Sequence, residues 1–298
     1  MIDILLATYN GERYIRQQLY SLLAQTYTDW RLFVHDDGSQ DKTVELIKEF
    51  QKIDNRIVLV EDGVKCGGAG ANFLHLLKYT TADYVIFCDQ DDIWLENKLE
   101  VMYERLKEEK EPCGIFAGGY LYTLDKGITG SIPSPILRDF KDLFFIAGGL
   151  QGCSMMFNRP LCNLIQGYDG YMVMHDYLVT LGVLSFGKLI YLQDKLMLYR
   201  QQHEGKVTAN VDTGIANKAK SKFPVIDTKH HKSFVSFVEK YNDKLTSQQK
   251  YIFGEYMKIY HSESLLKRIL LVLKNRFRLG NSTMYLVAKM ILRPIKER

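Results

Sequence analysis

The sequence predicts an α/β fold: a mainly parallel central sheet flanked by helices, with a C-terminal helical extension. Two observations carry this expectation. Runs of β-branched and aromatic residues, at 2–7, 30–35 and 84–88, alternate with segments of helical period. From Thr228 onward only helical patterns remain. Strand–helix–strand alternation implies parallel strands joined by right-handed crossovers. Such sheets bind ligands beyond the carboxyl ends of their strands.

The elements follow in order. The first strand ends in Thr8-Tyr9-Asn10-Gly11, and Ile15, Leu19, Leu22 and Leu23 then recur at helical spacing. The second strand ends in Asp36-Asp37-Gly38-Ser39, followed by a helix striped with Val44, Ile47 and Phe50. A third, short strand leads to the glycine-rich loop from Lys65 to Asn72. Tyr84-Val85-Ile86-Phe87-Cys88 is a buried strand that runs into Asp89-Gln90-Asp91-Asp92. A helix is expected over residues 95–110, with Pro112 ending it. Beyond Gly114 the pattern changes. Short strands are expected at 115–117, 120–124, 188–192 and 195–199, and a helix at 175–184. Residues 201–223 are polar, and a break at Gly280-Asn281-Ser282 divides the final helices.

Composition limits the function classes. The 298 residues, 46% apolar and 25% charged, suit a globular chain with a large core. Five scattered cysteines without a C-x-x-C pair argue for a reducing compartment and against a zinc site. Residue 3 already belongs to a strand and no basic leader precedes it, so no signal peptide is expected. No apolar run approaches the ~20 residues of a membrane span. The net charge of +4 is uneven: residues 261–298 carry nine basic and two acidic residues, a net +7, which leaves −3 for the rest. The same tail is rich in Leu, Ile, Val and Met. A basic amphipathic segment of this kind suits an anionic membrane surface. A helix packed on the main domain with a solvated basic face remains the alternative. Nucleic acid is not an expected partner, because the positive charge is confined to the tail.

The chemistry concentrates at the strand tips. Three carboxylates at the end of one strand repel one another unless a cation lies between them. Hard divalent ions take carboxylate oxygens and share their coordination with substrate phosphates. The alternative is a solvated acidic turn with Asp92 capping the next helix. Asp36 and Asp37 at a second tip favour the first reading.

Taken in order, Thr8-Tyr9-Asn10-Gly11, Gln25-Thr26-Tyr27, Asp36-Asp37-Gly38-Ser39-x-Asp41 and Asp89-x-Asp91-Asp92-x-Trp94 resemble family 2 of the inverting glycosyltransferases. Met174-His175-Asp176-Tyr177 and Tyr199-Arg200-Gln201-Gln202-His203 are similar to the bacterial rhamnosyltransferase-like branch, which builds capsular and cell-wall polysaccharides. That branch usually reads Arg-Gln-His at the last motif, and an extra Gln stands here. The resemblance covers about residues 1–205. It implies the GT-A fold, a nucleoside-diphosphate sugar donor (dTDP or UDP) and Mn2+ or Mg2+. It further implies a domain at 1–205, with a nucleotide-binding half at 1–112 and an acceptor half at 113–205. Residues 206–298 then form the basic, membrane-associating region.

The resemblance also implies roles. Tyr9 would pack on the nucleobase, with Thr8 and Asn10 beside it. Asp37 would accept from the pyrimidine N–H, which suits an acceptor-only carboxylate. Asp36 would join the nucleotide site or orient the turn. Gly68 and Asn72 would allow close approach of the nucleotide, with Gln90 nearby. Asp89 would meet the ribose or the metal, and Asp91 would ligate the metal with His203. Gly152 and Cys153 would line the acceptor side, His175 would flank the base, and Arg200 would meet the diphosphate. Asp176 would be the catalytic base, since an inverting transfer needs one carboxylate to take the acceptor proton. A helix N-cap is the alternative for Asp176.

The expected function is an inverting, metal-dependent transfer of a sugar, rhamnose by the branch, to a growing lipid-linked glycan. The enzyme would sit peripherally on the cytoplasmic membrane face, and a homo-oligomer is compatible with it. A non-catalytic scaffold within a synthase complex is the alternative from another class. A sugar-nucleotide pyrophosphorylase would need a Gly-rich, Arg/Lys-bearing loop after the first strand, which Thr8 to Arg13 does not supply.

Overall fold

The computed structural model describes residues 1–133, 135–201 and 223–297. One nine-stranded sheet runs through the molecule in the order β3-β2-β1-β4-β8-β6-β9-β5, with β7 paired to β6. Strands β1 (Ile2–Thr8), β2 (Trp30–Asp36), β3 (Ile57–Leu59) and β4 (Tyr84–Cys88) are parallel, as the alternating pattern requires. Helices α1 (Ile15–Leu23), α2 (Thr43–Ile53) and α3 (Ala69–Leu76) make the crossovers. All seven residues of β1 are buried, because it is central and covered on both faces. The parallel register sets Thr8 beside Asp36 and Leu6 beside Cys88. The polar tips that follow these residues therefore share one edge.

The second half is mixed. Strand β6 (Cys113–Thr123) runs antiparallel to β8 (Met155–Asn158) and parallel to β9 (Lys188–Arg200), and β8 is antiparallel to β4. The two short strands expected at 115–117 and 120–124 are one strand. Register shifts at Gly118 interrupt its pairing with β9 and gave the broken sequence pattern. The strands expected at 188–192 and 195–199 are likewise continuous in β9. The helix expected at 95–110 is shorter. Ile93–Trp94 forms β5 against β9, and α4 spans Lys98–Leu106. Helix α5 (Arg159–Ile165) escaped the sequence reading; Asn158 caps it by accepting from Leu161 N. Helix α6 (His175–Phe186) is apolar around most of its circumference and is largely buried.

Two apolar layers cover the sheet. One joins β1, β2 and β4 residues to α1, α2 and α4. The other takes the opposite face, α3, α5 and α6, and also the C-terminal helices α7 (Thr228–Lys240), α8 (Ser247–His261), α9 (Leu265–Lys274) and α10 (Thr283–Leu292). Phe144 stacks on Tyr256 of α8 at 4.4 Å, and Val272, Phe277 and Leu286 are fully buried. The C-terminal helices thus help close the main core. No helix among the described residues is long and apolar enough to cross a membrane.

Candidate active site

The strand tips open into a cavity of about 620 Å³. Its first wall comes from β1, β2, β4 and the loop before α3. Thr8 Oγ1 donates to Asp36 Oδ2 at 2.8 Å, and Asp36 Oδ1 accepts from Gly38 N (3.0 Å) and Ser39 N (2.7 Å). These bonds fold the turn, with Gly38 at φ +92°, a conformation that favours glycine. Asp36 is therefore spent on the turn and does not line the cavity. Asn10 does not line it either. Its side-chain carbonyl accepts from Gln40 N at 2.9 Å and braces the two loops. Asp37 does line it. Its carboxylate accepts from Cys66, Gly67 and Gly68 N–H, the last two at 3.1 and 2.8 Å. Successive backbone amides make an anion cradle of this kind. Gln90 holds the Tyr9 backbone at two points, accepting from its N and donating to its O, each at 3.0 Å. The Tyr9 side chain is left half exposed over the cavity.

The floor is acidic. Asp89 and Asp91 line the cavity, while Asp92 is buried beneath it and accepts from Arg200 N at 3.2 Å. Burial, with Asp91 and Asp89 adding to it, pushes the Asp92 carboxyl well above the usual range. Asp89, Asp92 and Cys153 bring ligand atoms within 4.8 Å of one another. The cysteine is a poor partner for a hard cation, because burial pushes its thiol up as well. Cys153 lies below the cavity, with its carbonyl accepting from Lys98 Nζ at 2.8 Å. Arg200 does not reach the cavity either. Its Nε donates to Asp91 O at 2.8 Å, its Nη2 donates to Gln17 Oε1 at 2.6 Å, and its guanidinium lies against Tyr14 and Tyr122. Side chains alternate along a strand, so Tyr199 lines the cavity while Arg200 turns under it. His203 lies outside the described residues.

Among the described residues, Asp37, Asp89, Asp91 and Asp176 line this cavity with one cationic side chain, Lys65. A diphosphate entering such a site needs added positive charge. Asp89 and Asp91 at the floor are oxygen ligands suited to Mg2+ or Mn2+. The residues present therefore fit a divalent cation shared with phosphates.

The opposite wall comes from the loop before β8 and the start of α6. His175 is packed between Phe73 (4.0 Å) and Phe87 (4.6 Å), and among the described residues neither ring nitrogen has a hydrogen-bond partner. Burial lowers its pKa to about 3, so the ring is neutral. Gly152 is needed beside it, because a Cβ there would lie 2.6 Å from His175 Nε2. Asp176 follows in the first helical turn. The N-cap position is Met174, so the N-cap alternative for Asp176 is overturned. Burial raises the Asp176 carboxyl to about 7, with the charge of Asp89 adding to it. A carboxyl raised to near neutrality in a site of this kind is an arrangement suited to proton transfer.

The sequence reading named most of the lining residues but assigned no roles to Met174 and Tyr199. Their signal was adjacency, since each borders a residue already singled out.

Residues 3–163 match the model of glycosyl transferase family 2. The chain is 31% identical over 221 residues to the dTDP-rhamnosyl transferase RfbG of Shigella flexneri, covering 69% of this chain and 74% of that one. It is 31% identical over 186 residues to the Escherichia coli glucosyltransferase WfgD, covering 62% and 70%. Among solved structures, S. aureus TarS 1–349 in complex with UDP-GlcNAc aligns with TM-score 0.56 at 16% identity, over 92% of this chain and 87% of that one. A Pyrobaculum calidifontis mannosyltransferase complexed with GDP-Man and Mn2+ aligns with TM-score 0.53 at 15% identity, over 98% and 84%. The chain belongs to glycosyl transferase family 2, and it is a glycosyltransferase with the GT-A fold.

Proposed function

We propose that this enzyme transfers a sugar from a nucleoside-diphosphate donor to a hydroxyl of a growing cell-surface polysaccharide, with inversion, and that Asp176 is the base. The observation that carries this reading is a carboxyl raised to about 7 in the same cavity as the Asp89–Asp91 floor. Asp176 takes the proton as the acceptor oxygen bonds to the anomeric carbon, and the bond from that carbon to the diphosphate breaks with its electron pair leaving on phosphate. Mn2+ or Mg2+ held by Asp89 and Asp91 would supply Lewis-acid stabilisation of the leaving nucleoside diphosphate. Asp37 and Tyr9 hold the nucleobase, Thr8, Gln90 and the Gly68–Asn72 segment line its approach, and neutral His175 with Gly152 shapes the sugar side.

The branch motifs and the similarity to RfbG favour a dTDP-rhamnose donor. WfgD, named for UDP-Glc and a diphosphoundecaprenol-linked acceptor, makes UDP-glucose the competitor and supports a lipid-linked acceptor. The tail suits that acceptor. Leu266, Leu270, Met284 and Leu292 are exposed beside its basic residues. Not all of that charge is free to act on a membrane, since Arg278 pairs with Asp142 at 2.6 Å and Lys274 with Glu255 at 3.1 Å. The enzyme then works as a peripheral protein of the cytoplasmic membrane face. Calorimetric titration with UDP and dTDP, each with and without Mn2+, tests the reading. Metal-dependent binding of one nucleotide is expected, and folded protein that binds neither would overturn it.

A further inference from the structure

A second cluster of ligand groups lies outside the cavity, behind Asn72. His35 at the end of β2, Asp62 in the loop after β3 and His75 on α3 bring ligand atoms within 4.8 Å of one another. The chemistry of the His35 ring is determined by its neighbours. Asn72 Nδ2 donates to His35 O at 3.1 Å, so Asn72 Oδ1 is the acceptor that meets His35 Nδ1 at 2.6 Å. The proton therefore sits on Nδ1, and the lone pair of neutral His35 is on Nε2. That lone pair faces Asp62 Oδ1 at 3.4 Å. Two acceptors face each other unless a cation lies between them. His75 Nε2 lies 2.6 Å from Asp62 Oδ2. The carboxylate is held by the Tyr79 hydroxyl (2.6 Å) and by Val64 N (3.0 Å), which keep it well below the usual range.

We propose that His35, Asp62 and His75 form a zinc-class transition-metal site, distinct from the carboxylate floor. Two imidazoles and a carboxylate select Zn2+ over Mg2+. Tetrahedral coordination at about 2.0–2.1 Å sets neighbouring ligand atoms about 3.3 Å apart, close to the His35–Asp62 separation of 3.4 Å, while the His75–Asp62 pair, hydrogen-bonded at 2.6 Å, must open to admit the ion. Two of the three ligands already have an outer partner: Asn72 orients His35 and Tyr79 orients Asp62. A cleft of about 360 Å³ lined by His35, Gly63 and Val64 gives the ion a way in. The ion would tie β2, the loop before Gly67-Gly68 and α3 together, bracing the wall that carries Asp37 and Asn72. Scattered cysteines speak only against a thiolate zinc site, and this set uses no cysteine.

The test uses the full chain, stripped with chelator and carrying Asp91→Asn to weaken the carboxylate floor. Zn2+ is titrated calorimetrically, and Co2+ by visible absorption, both in excess Mg2+. The expected result is one equivalent of each ion, a Co2+ ligand-field band, and a zinc-dependent rise in Tm. His75→Ala should weaken binding at least tenfold. Asp62→Asn, which keeps the shape of the side chain, should do the same should His75→Ala fail to fold. Folded protein that takes up no zinc, or uptake unchanged in Asp62→Asn, would overturn the proposal. The first of these outcomes would leave a proton between His35 and Asp62 as the bridging cation.

Discussion

The two walls of the cavity both present carboxylates and treat them in opposite ways. On the wall made by β1, β2 and β4, Asp37 is wrapped in three backbone amides. Bonds of that kind fix the position and orientation of the carboxylate. On the wall made by α6, Asp176 sits next to a buried, neutral His175, and burial raises it to about 7. One wall holds its carboxylate rigidly by backbone amides, and the other holds a carboxyl that burial raises to about 7. The difference comes from how the backbone is presented: loop amides point at Asp37, and Asp176 emerges from an apolar helix.

Exchanging the proposed base has the largest expected effect. Asp176→Asn should lower kcat by roughly 10²–10⁴-fold while leaving nucleotide affinity near the parent value. Single-turnover rates beside calorimetric Kd values check this, and normal turnover would remove Asp176 from the role of base. Asp91→Ala acts on the other wall. It should cost on the order of 10²-fold in rate and abolish the metal dependence of nucleotide binding.

Acidity separates the walls without mutation. With the Asp176 carboxyl near 7, kcat/KM should fall about tenfold for each pH unit below that point. The same shift affects stability. Between the ordinary carboxylate value of 3.8 and about 7, the folded state binds the extra proton, so stability declines as pH rises through that window. Asp176→Asn should therefore raise Tm at pH 8 and leave it nearly unchanged at pH 4, as scanning calorimetry would show.

Smaller effects sharpen the picture. Gly152→Ala places a Cβ 2.6 Å from His175 Nε2 and should cost about 1–3 kcal/mol of stability, measured by urea unfolding. Removing the tail outright would confuse its two roles, since Val272, Phe277 and Leu286 are core residues. Leu266→Glu with Leu270→Glu changes only exposed positions. It should weaken binding to anionic vesicles about tenfold and leave transfer to a soluble acceptor unchanged. Equal vesicle binding would discard the membrane surface as the partner of this face.

Much of the first wall was legible in the sequence, because strand tips are local. Alternating β and helical periods located β1, β2 and β4 and put Thr8, Asp37, Asp89 and Asp91 at one edge. Parallel order follows from connection rules that need no tertiary detail. The second half was less legible, because register shifts in β6 and antiparallel pairing through β8 are set by contacts distant in sequence.

Residue type and spacing by themselves determined which groups stand at the strand tips. What each group can do depends on how the chain packs around it. Asp36 and Asp37 are adjacent, yet one is consumed by its turn and the other faces the cavity. Arg200 and Tyr199 are adjacent, yet the strand sends them to opposite sides. The raised carboxyl of Asp176 and the grouping of His35, Asp62 and His75 depend on burial and on approach through space. Desolvation and proximity are properties of the packed chain, and no local pattern of residues encodes them.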